Sequence, residues 1–182
     1  MTALLLALGF LFCLLCSAVY SGSELGFYSL SRVQVDLDAR RGSRSGRLAR
    51  WLLRDDAALL ITILIGNNLA LEVATLLADK AFSELLSSPT QVALLTTAVL
   101  SPLVFLFGEA LPKELFRRRP HGLLPLATPL VAGSRLLFWP LERLLRGLSW
   151  LLERALGVQP GRGRRAAGRE DVLSYLAEGQ RT

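Results

Sequence analysis

The sequence predicts an all-α integral membrane protein with three transmembrane helices, intracellular helices and an amphipathic juxtamembrane helix. Two observations carry most of that expectation. No charged side chain occurs from Met1 through Ser23, nor from Leu85 through Gly108, and about 20 mostly apolar residues suffice to cross a hydrocarbon core. Arginines gather beside the apolar runs, in Arg32–Arg54, Arg117–Arg119 and Arg162–Arg169, as the positive-inside rule requires.

The first span is expected over about residues 2–30, interrupted at Ser21-Gly22-Ser23-Glu24. It lacks the positive n-region of a signal peptide, and Leu14 and Leu15 are bulky for lipoprotein cleavage before Cys16, so it is read as retained. Cys13 and Cys16 are the only cysteines. A CxxC pair serves redox or metal chemistry in some contexts, but with no second pair these read as small helical hydrophobes. Seven arginines follow between Arg32 and Arg54. Asp55 and Asp56 then resemble N-terminal caps for a second span over about 57–78, broken by Gly66-Asn67-Asn68 and Glu72. Ser88-Pro89 reads as the next helix start, with proline where a missing N–H is harmless. The third span covers about 90–116 and ends on three arginines.

Residues 122–156 are apolar but interrupted by Pro125, Pro129 and Pro140. From Glu142 onward the charges share one helical face, the pattern of a helix lying in the membrane interface. A fourth crossing would also carry Arg162-Gly163-Arg164-Arg165 outside. Three crossings put the N-terminus outside and the C-terminus in the cytoplasm of a multi-pass cell-membrane protein. Residues 157–182 read as a basic, glycine-rich linker and the start of a cytoplasmic helix.

The net charge of +6 and pI near 10.1 lack any nucleic-acid-binding motif beside them. No nucleic-acid partner is expected. Enzymatic chemistry is not expected either: HExxH is absent, and His121 at the interface is at the wrong place to be the base of a serine hydrolase.

Polar groups at membrane depth are costly and face a partner, a cavity or an ion. From the flanking charges, Ser21 lies roughly 16 Å in, Asn67 roughly 15 Å and Glu109 roughly 12 Å at the helical rise per residue. Hydroxyl, amide carbonyl and carboxylate are hard oxygen donors suited to Mg²⁺ or Ca²⁺. Pro112 has no N–H, so the carbonyl of Gly108 loses its helical partner beside Glu109. Gly22 and Gly66 permit close helix approach or local unwinding. The competing reading is interhelical hydrogen bonding without an ion. Thr62 and Thr96 are read as bonded back to their own helices.

Three motifs then resemble one family. Tyr20-Ser21-Gly22-Ser23-Glu24 with Ser29-Leu30-Ser31-Arg32-Val33 is similar to the "FSGSE…SLSR" element of CorC/cyclin-M (CNNM) magnesium transporters. Leu60 through Leu69, LITILIGNNL, is similar to their "STILIGNNL". Phe107-Gly108-Glu109-Ala110-Leu111-Pro112-Lys113 resembles "FGEixPK". The resemblance implies a homodimer with a belt-like juxtamembrane helix, and Mg²⁺ bound by Ser21, Asn67 and Glu109 with carbonyls near Gly22, Gly66 and Gly108. It also implies Mg²⁺ export coupled to Na⁺ entry by alternating access. The alternative is a membrane-anchored Mg²⁺ sensor or scaffold that transports nothing. Two departures stand out: Leu71-Glu72 follows where the family often has another Asn, and the cytoplasmic CBS domains usual in the family are expected to be absent from this chain.

Overall fold

The computed structural model describes residues 2–156, so the expected linker and helix start at 157–182 lie outside the described residues. Every regular element among those residues is helical. α1 spans Thr2–Ser29, α2 Arg32–Arg40, α3 Arg44–Leu52 and α4 Asp56–Ser83. α5 covers Pro89–Leu103 and runs through a π-helical segment, Val104–Ala110, into α6 at Leu111–Arg118. α7 covers Pro120–Ala155.

α1 does not break at Ser21–Glu24, nor α4 at Gly66–Asn68. The reason is local. Ser23 returns its hydroxyl to the Val19 carbonyl at 2.5 Å, and Asn68 donates to Leu64 O at 2.9 Å. Polar side chains that bond one turn back leave the helix ladder intact. Asp55 caps α4 as expected, accepting the Ala58 N–H at 3.1 Å. α4 also runs five residues past its expected end at Ala78, to Ser83.

By length and composition four helices could cross a membrane: Leu4–Ser29, Asp56–Ser83, Pro89–Arg118 and Pro120–Leu152. The sequence had predicted three, with a juxtamembrane helix over 122–156. The difference arises because Pro125, Pro129 and Pro140 do not divide α7. Each proline deletes one helical hydrogen bond, yet Leu124, Ala127, Val131 and Ala132 bury their side chains in the core.

α1 and α4 run antiparallel, shown by the descending partners Leu77 for Gly9, Asn67 for Ser17 and Gly66 for Tyr20. The third helix runs parallel to α1, with Gly108 against Ser17 and Phe116 against Gly22. Arg32 and Asp56 pair at 2.7 Å where α1 and α4 give way to α2 and α3. The core lies toward this arginine-rich end. It gathers Tyr20 and Phe27 of α1, Val35 of α2, Ala49 and Leu52 of α3, Leu59 and Ile63 of α4, and Phe116 of α6. Toward the other ends of α1 and α4 many leucines remain exposed, among them Leu4, Leu8, Leu11 and Leu76, as expected of helices whose outer faces meet lipid.

The chain divides into two compact units, Met1–Trp139 and Pro140–Thr182. In the described part of the second, Glu142 is buried and pairs with Arg146 at 3.6 Å, and Arg154 lies over the Trp150 ring at 5.4 Å.

Candidate functional site

The signature residues of α1 share one helical stripe. Ser17, Ser21 and Glu24 follow one another at spacings of four and three, which puts them on one face. That stripe meets α4 at its upper end. Ser17, fully buried, donates its hydroxyl to Asn67 Oδ1 at 2.8 Å. It also meets the third helix: a methyl added at Gly108 would stand 3.4 Å from Ser17 Oγ and 3.3 Å from Leu14 Cδ1. Gly108 thus brings the π-helical backbone against α1.

One turn on, Ser21 is buried and its hydroxyl has no hydrogen-bond partner among the described residues. An orphaned buried hydroxyl costs about 1–3 kcal/mol. One further turn brings Glu24 to Lys113 Nζ at 3.5 Å. Glu24, Arg32 and Asp56 also line a pocket of about 100 Å³ with Phe27, Tyr28 and Ile63. The stripe therefore leads from a buried polar level to a charged mouth at the arginine-rich end.

The depths refine the sequence estimate. Counted from Ser29, where α1 ends, Ser21 lies roughly 12 Å along the axis; Gly108 packs on Ser17 and Phe116 on Gly22, which puts Glu109 beside the Ser17 level rather than that of Ser21. Ser17 lies roughly 18 Å in, and Asn67 roughly 16 Å in from Asp56, so these two are level. Counting from Arg32 placed Ser21 too deep, because Arg32 already belongs to α2. The donors are staggered over one helical turn.

Gly22 and Gly66 serve close approach. A methyl at Gly66 would fall 2.6 Å from two ring carbons of Tyr20, and one at Gly22 would fall 2.5 Å from Phe116 Cδ2. The Tyr20 ring is held in turn by its hydroxyl, 2.5 Å from Ser134 Oγ. Glu109 is half-buried and makes no hydrogen bond or ion pair among the described residues. No group of three or more His, Cys, Asp or Glu able to hold a metal occurs among those residues. Any cation here would rest on one carboxylate and neutral oxygens.

Glu109 sits in the π-helical segment, where Leu111 N–H bonds to Leu106 O, five residues back. π turns arise where an α-helical pairing is lost, and they recur at functional sites. Pro112, unable to pair with Gly108 O, stands at the end of this segment. Ser17 is the residue that sequence reasoning missed. A lone hydroxyl in an apolar run looks like any back-bonded serine, and only the i, i+4 spacing to Ser21 hinted at more. Thr62 bonds back to Ala58 O at 2.8 Å as expected, but Thr96 does not: its buried hydroxyl has no partner among the described residues. Glu72 is exposed, and Cys13 and Cys16 are free and half-buried.

The profile for the cyclin M transmembrane N-terminal domain (CNNM) matches residues 8–182. The UPF0053 inner membrane protein YfjD of Escherichia coli is 34% identical over 143 residues, which is 79% of this chain and 33% of that protein. A UPF0053 protein of Haemophilus influenzae is 25% identical over 170 residues, 91% of this chain and 39% of its own length. A DUF21 domain-containing protein of Arabidopsis thaliana is 26% identical over 147 residues, 78% of this chain and 26% of its own length. The chain thus spans no more than 39% of the length of these relatives.

Proposed function

This chain belongs to the cyclin M transmembrane-domain (CNNM) family, and from that premise we propose that it is the membrane core of a magnesium transporter. Mg²⁺ is held within the bundle by Ser21, Asn67 and Glu109, with backbone carbonyls at Gly22, Gly66 and Gly108, and is exposed to each side in turn. Na⁺ entry, implied by the family resemblance, drives export. The protein works as a homodimer.

The observation that carries this reading is the buried hydroxyl of Ser21, without a partner among the described residues and one turn from the Ser17–Asn67 contact. A bound cation would give that oxygen a partner. The donor set also suits transport. Mg²⁺ takes hard oxygen ligands and gives up its waters reluctantly. One carboxylate among neutral oxygens leaves the bound ion partly uncompensated, so that it can leave again, as conduction requires.

Three crossings remain the topology we favour, with the N-terminus outside and α7 lying in the cytoplasmic interface. Pro120 and His121 line a pocket of about 260 Å³ with Val35, Asp38, Ser43 and Gly46 of the α2–α3 region. Arg135 reaches Leu52 O at 3.1 Å and stacks on Trp51 at 4.6 Å. Fifteen residues of helix measure roughly 22 Å, yet both ends of that stretch contact the arginine-rich end. A perpendicular crossing would separate them.

The test is thermal unfolding of the purified protein across a MgCl₂ titration. Wild type is expected to gain stability with Mg²⁺, by about 2.7 kcal/mol at a hundredfold excess over Kd. Ser21→Ala, Asn67→Ala and Glu109→Ala are expected to lose that gain. Equal Mg²⁺ responses in all four proteins would overturn the site.

A further inference from the structure

We infer that the cavity between α2, α3 and the first turns of α7 binds the headgroup of an ethanolamine-type phospholipid, by its ammonium and its phosphate together. The cavity measures about 260 Å³ and shares no residue with the cation site proposed above, so the inference stands without that site. It lies at the arginine-rich end of the bundle, the level at which basic pockets between membrane helices meet lipid headgroups.

Asp38 supplies the negative side. It lines the cavity half-buried, and its carboxylate makes no hydrogen bond or ion pair among the described residues. Asp36, two residues earlier, instead holds Arg40 at 2.8 Å and Arg50 at 3.0 Å. The α3 backbone backs Asp38 closely: a methyl added at Gly46 would stand 3.1 Å from Asp38 Cβ and 2.9 Å from Ala39 N. The donors come from α3 and α7. Ser43 and Ser45 line the same cavity, with their hydroxyls 3.0 Å apart, and Ser43 Oγ accepts the Gly46 N–H. One hydroxyl proton is used between the two serines, which leaves the other for a ligand oxygen. His121 adds an imidazole N–H to the lining. Arg44 stands between the two serines in sequence and Arg119 beside Pro120; both are exposed and unpaired among the described residues.

That combination selects the ligand. A simple anion would suit the donors but meet the Asp38 carboxylate. A simple cation would suit Asp38 but leave the hydroxyl and imidazole donors idle beside unpaired arginines. A molecule carrying both charges satisfies both sides through charge-assisted hydrogen bonds, with guanidinium well matched to phosphate. Leu30, Leu124 and Pro125 complete the wall, and Leu126 and Leu130 continue along α7 as exposed apolar surface. An apolar exit of this kind suits a lipid better than a water-soluble headgroup.

The experiment titrates the purified full chain in detergent with dioctanoyl phosphatidylethanolamine, phosphatidylcholine and phosphatidylglycerol, and reads apparent affinity from thermal stabilisation. Wild type is expected to prefer phosphatidylethanolamine about 10-fold over phosphatidylcholine, whose quaternary ammonium has no N–H to donate. Phosphatidylglycerol, which lacks the cation, is expected to bind no better than phosphatidylcholine. Asp38→Ala is expected to reduce the ethanolamine preference below about 2-fold. Asp36→Ala, the same charge change on the same helix outside the cavity, is expected to keep it. His121→Ala is expected to weaken both zwitterionic lipids alike, since they share the phosphate.

A wild type without preference for phosphatidylethanolamine would overturn the inference, as would a preference that survives Asp38→Ala or falls equally in Asp36→Ala. Tightest binding of phosphatidylglycerol, strengthened further by Asp38→Ala, would make the cavity an anion site and also overturn it. Glycerophosphoethanolamine separates the sources: stabilisation by this soluble compound equal to that by the lipid would overturn the lipid as occupant.

Discussion

Glu24 and Lys113, which belong to two sequence motifs nearly ninety positions apart, meet at 3.5 Å between α1 and α6. Both side chains are more than a third exposed, so the pair adds little to stability, about 0.2–1 kcal/mol by double-mutant cycle. Its larger effect is on the field at the mouth. Lys113 lies one turn from Glu109 and partly neutralises Glu24. Lys113→Met is therefore expected to tighten apparent Mg²⁺ affinity, and Glu24→Gln to weaken it. Titrations at low ionic strength check this; shifts of the same sign in both variants would contradict it.

The glycine contacts make a paired prediction about stability. Gly66→Ala sets a methyl 2.6 Å from the Tyr20 ring, which the Ser134 contact holds in place. Overpacking of this kind costs about 1–3 kcal/mol. Gly133→Ala meets nothing within 4 Å and lies inside α7, where alanine is favoured over glycine by up to about 1 kcal/mol. Unfolding in detergent without Mg²⁺ is expected to show Gly66→Ala destabilised and Gly133→Ala unchanged or stabilised.

Pro112 is expected to matter to the ion more than to the fold. Pro112→Ala restores an N–H that can claim Gly108 O and draw the π-helical segment toward regular α-helix. Glu109 would then turn relative to α1. Ion-free stability is expected to hold or rise while Mg²⁺ stabilisation falls, measured by melting with and without MgCl₂. A proportional loss of both would show Pro112 to be merely structural.

Arg135 links α7 to the start of α4. It donates to Leu52 O at 3.1 Å, stacks on Trp51 at 4.6 Å and lies 3.9 Å from Asp55. A lysine carries the charge but lacks the planar fork and the stacking face. Arg135→Lys is expected to destabilise the protein nearly as much as Arg135→Ala, on the order of 1–3 kcal/mol for a mostly buried, charge-assisted contact. Full rescue by lysine in a melting experiment would contradict this.

Much of the architecture was legible because membrane helices announce themselves by long uncharged runs and flanking arginines. The Asp55 cap was legible too, since a carboxylate just before an apolar run has one obvious use. The continuity of α1 and α4 was not. Ser23 and Asn68 can either break a helix or bond back one turn, and only packing decides. The extent of α7 was legible, but its continuity was not: its prolines remove hydrogen bonds, while buried Leu124, Ala127 and Val131 keep the helix docked. In the candidate site, counting in from the flanking charges placed Ser21, Asn67 and Glu109 near one depth. The one-turn stagger depended on which residues pack across from α1, and Ser17 on a partner fifty residues away.

The most direct measurement is Mg²⁺ flux in proteoliposomes of defined orientation, comparing wild type with Glu109→Gln, under an inward Na⁺ gradient and without one. Wild type is expected to move Mg²⁺ against the direction of Na⁺ entry, with flux falling when the gradient is removed and lost in Glu109→Gln. Saturable Mg²⁺ binding by wild type with no flux under either condition would contradict transport and leave a membrane-anchored sensor or scaffold in its place.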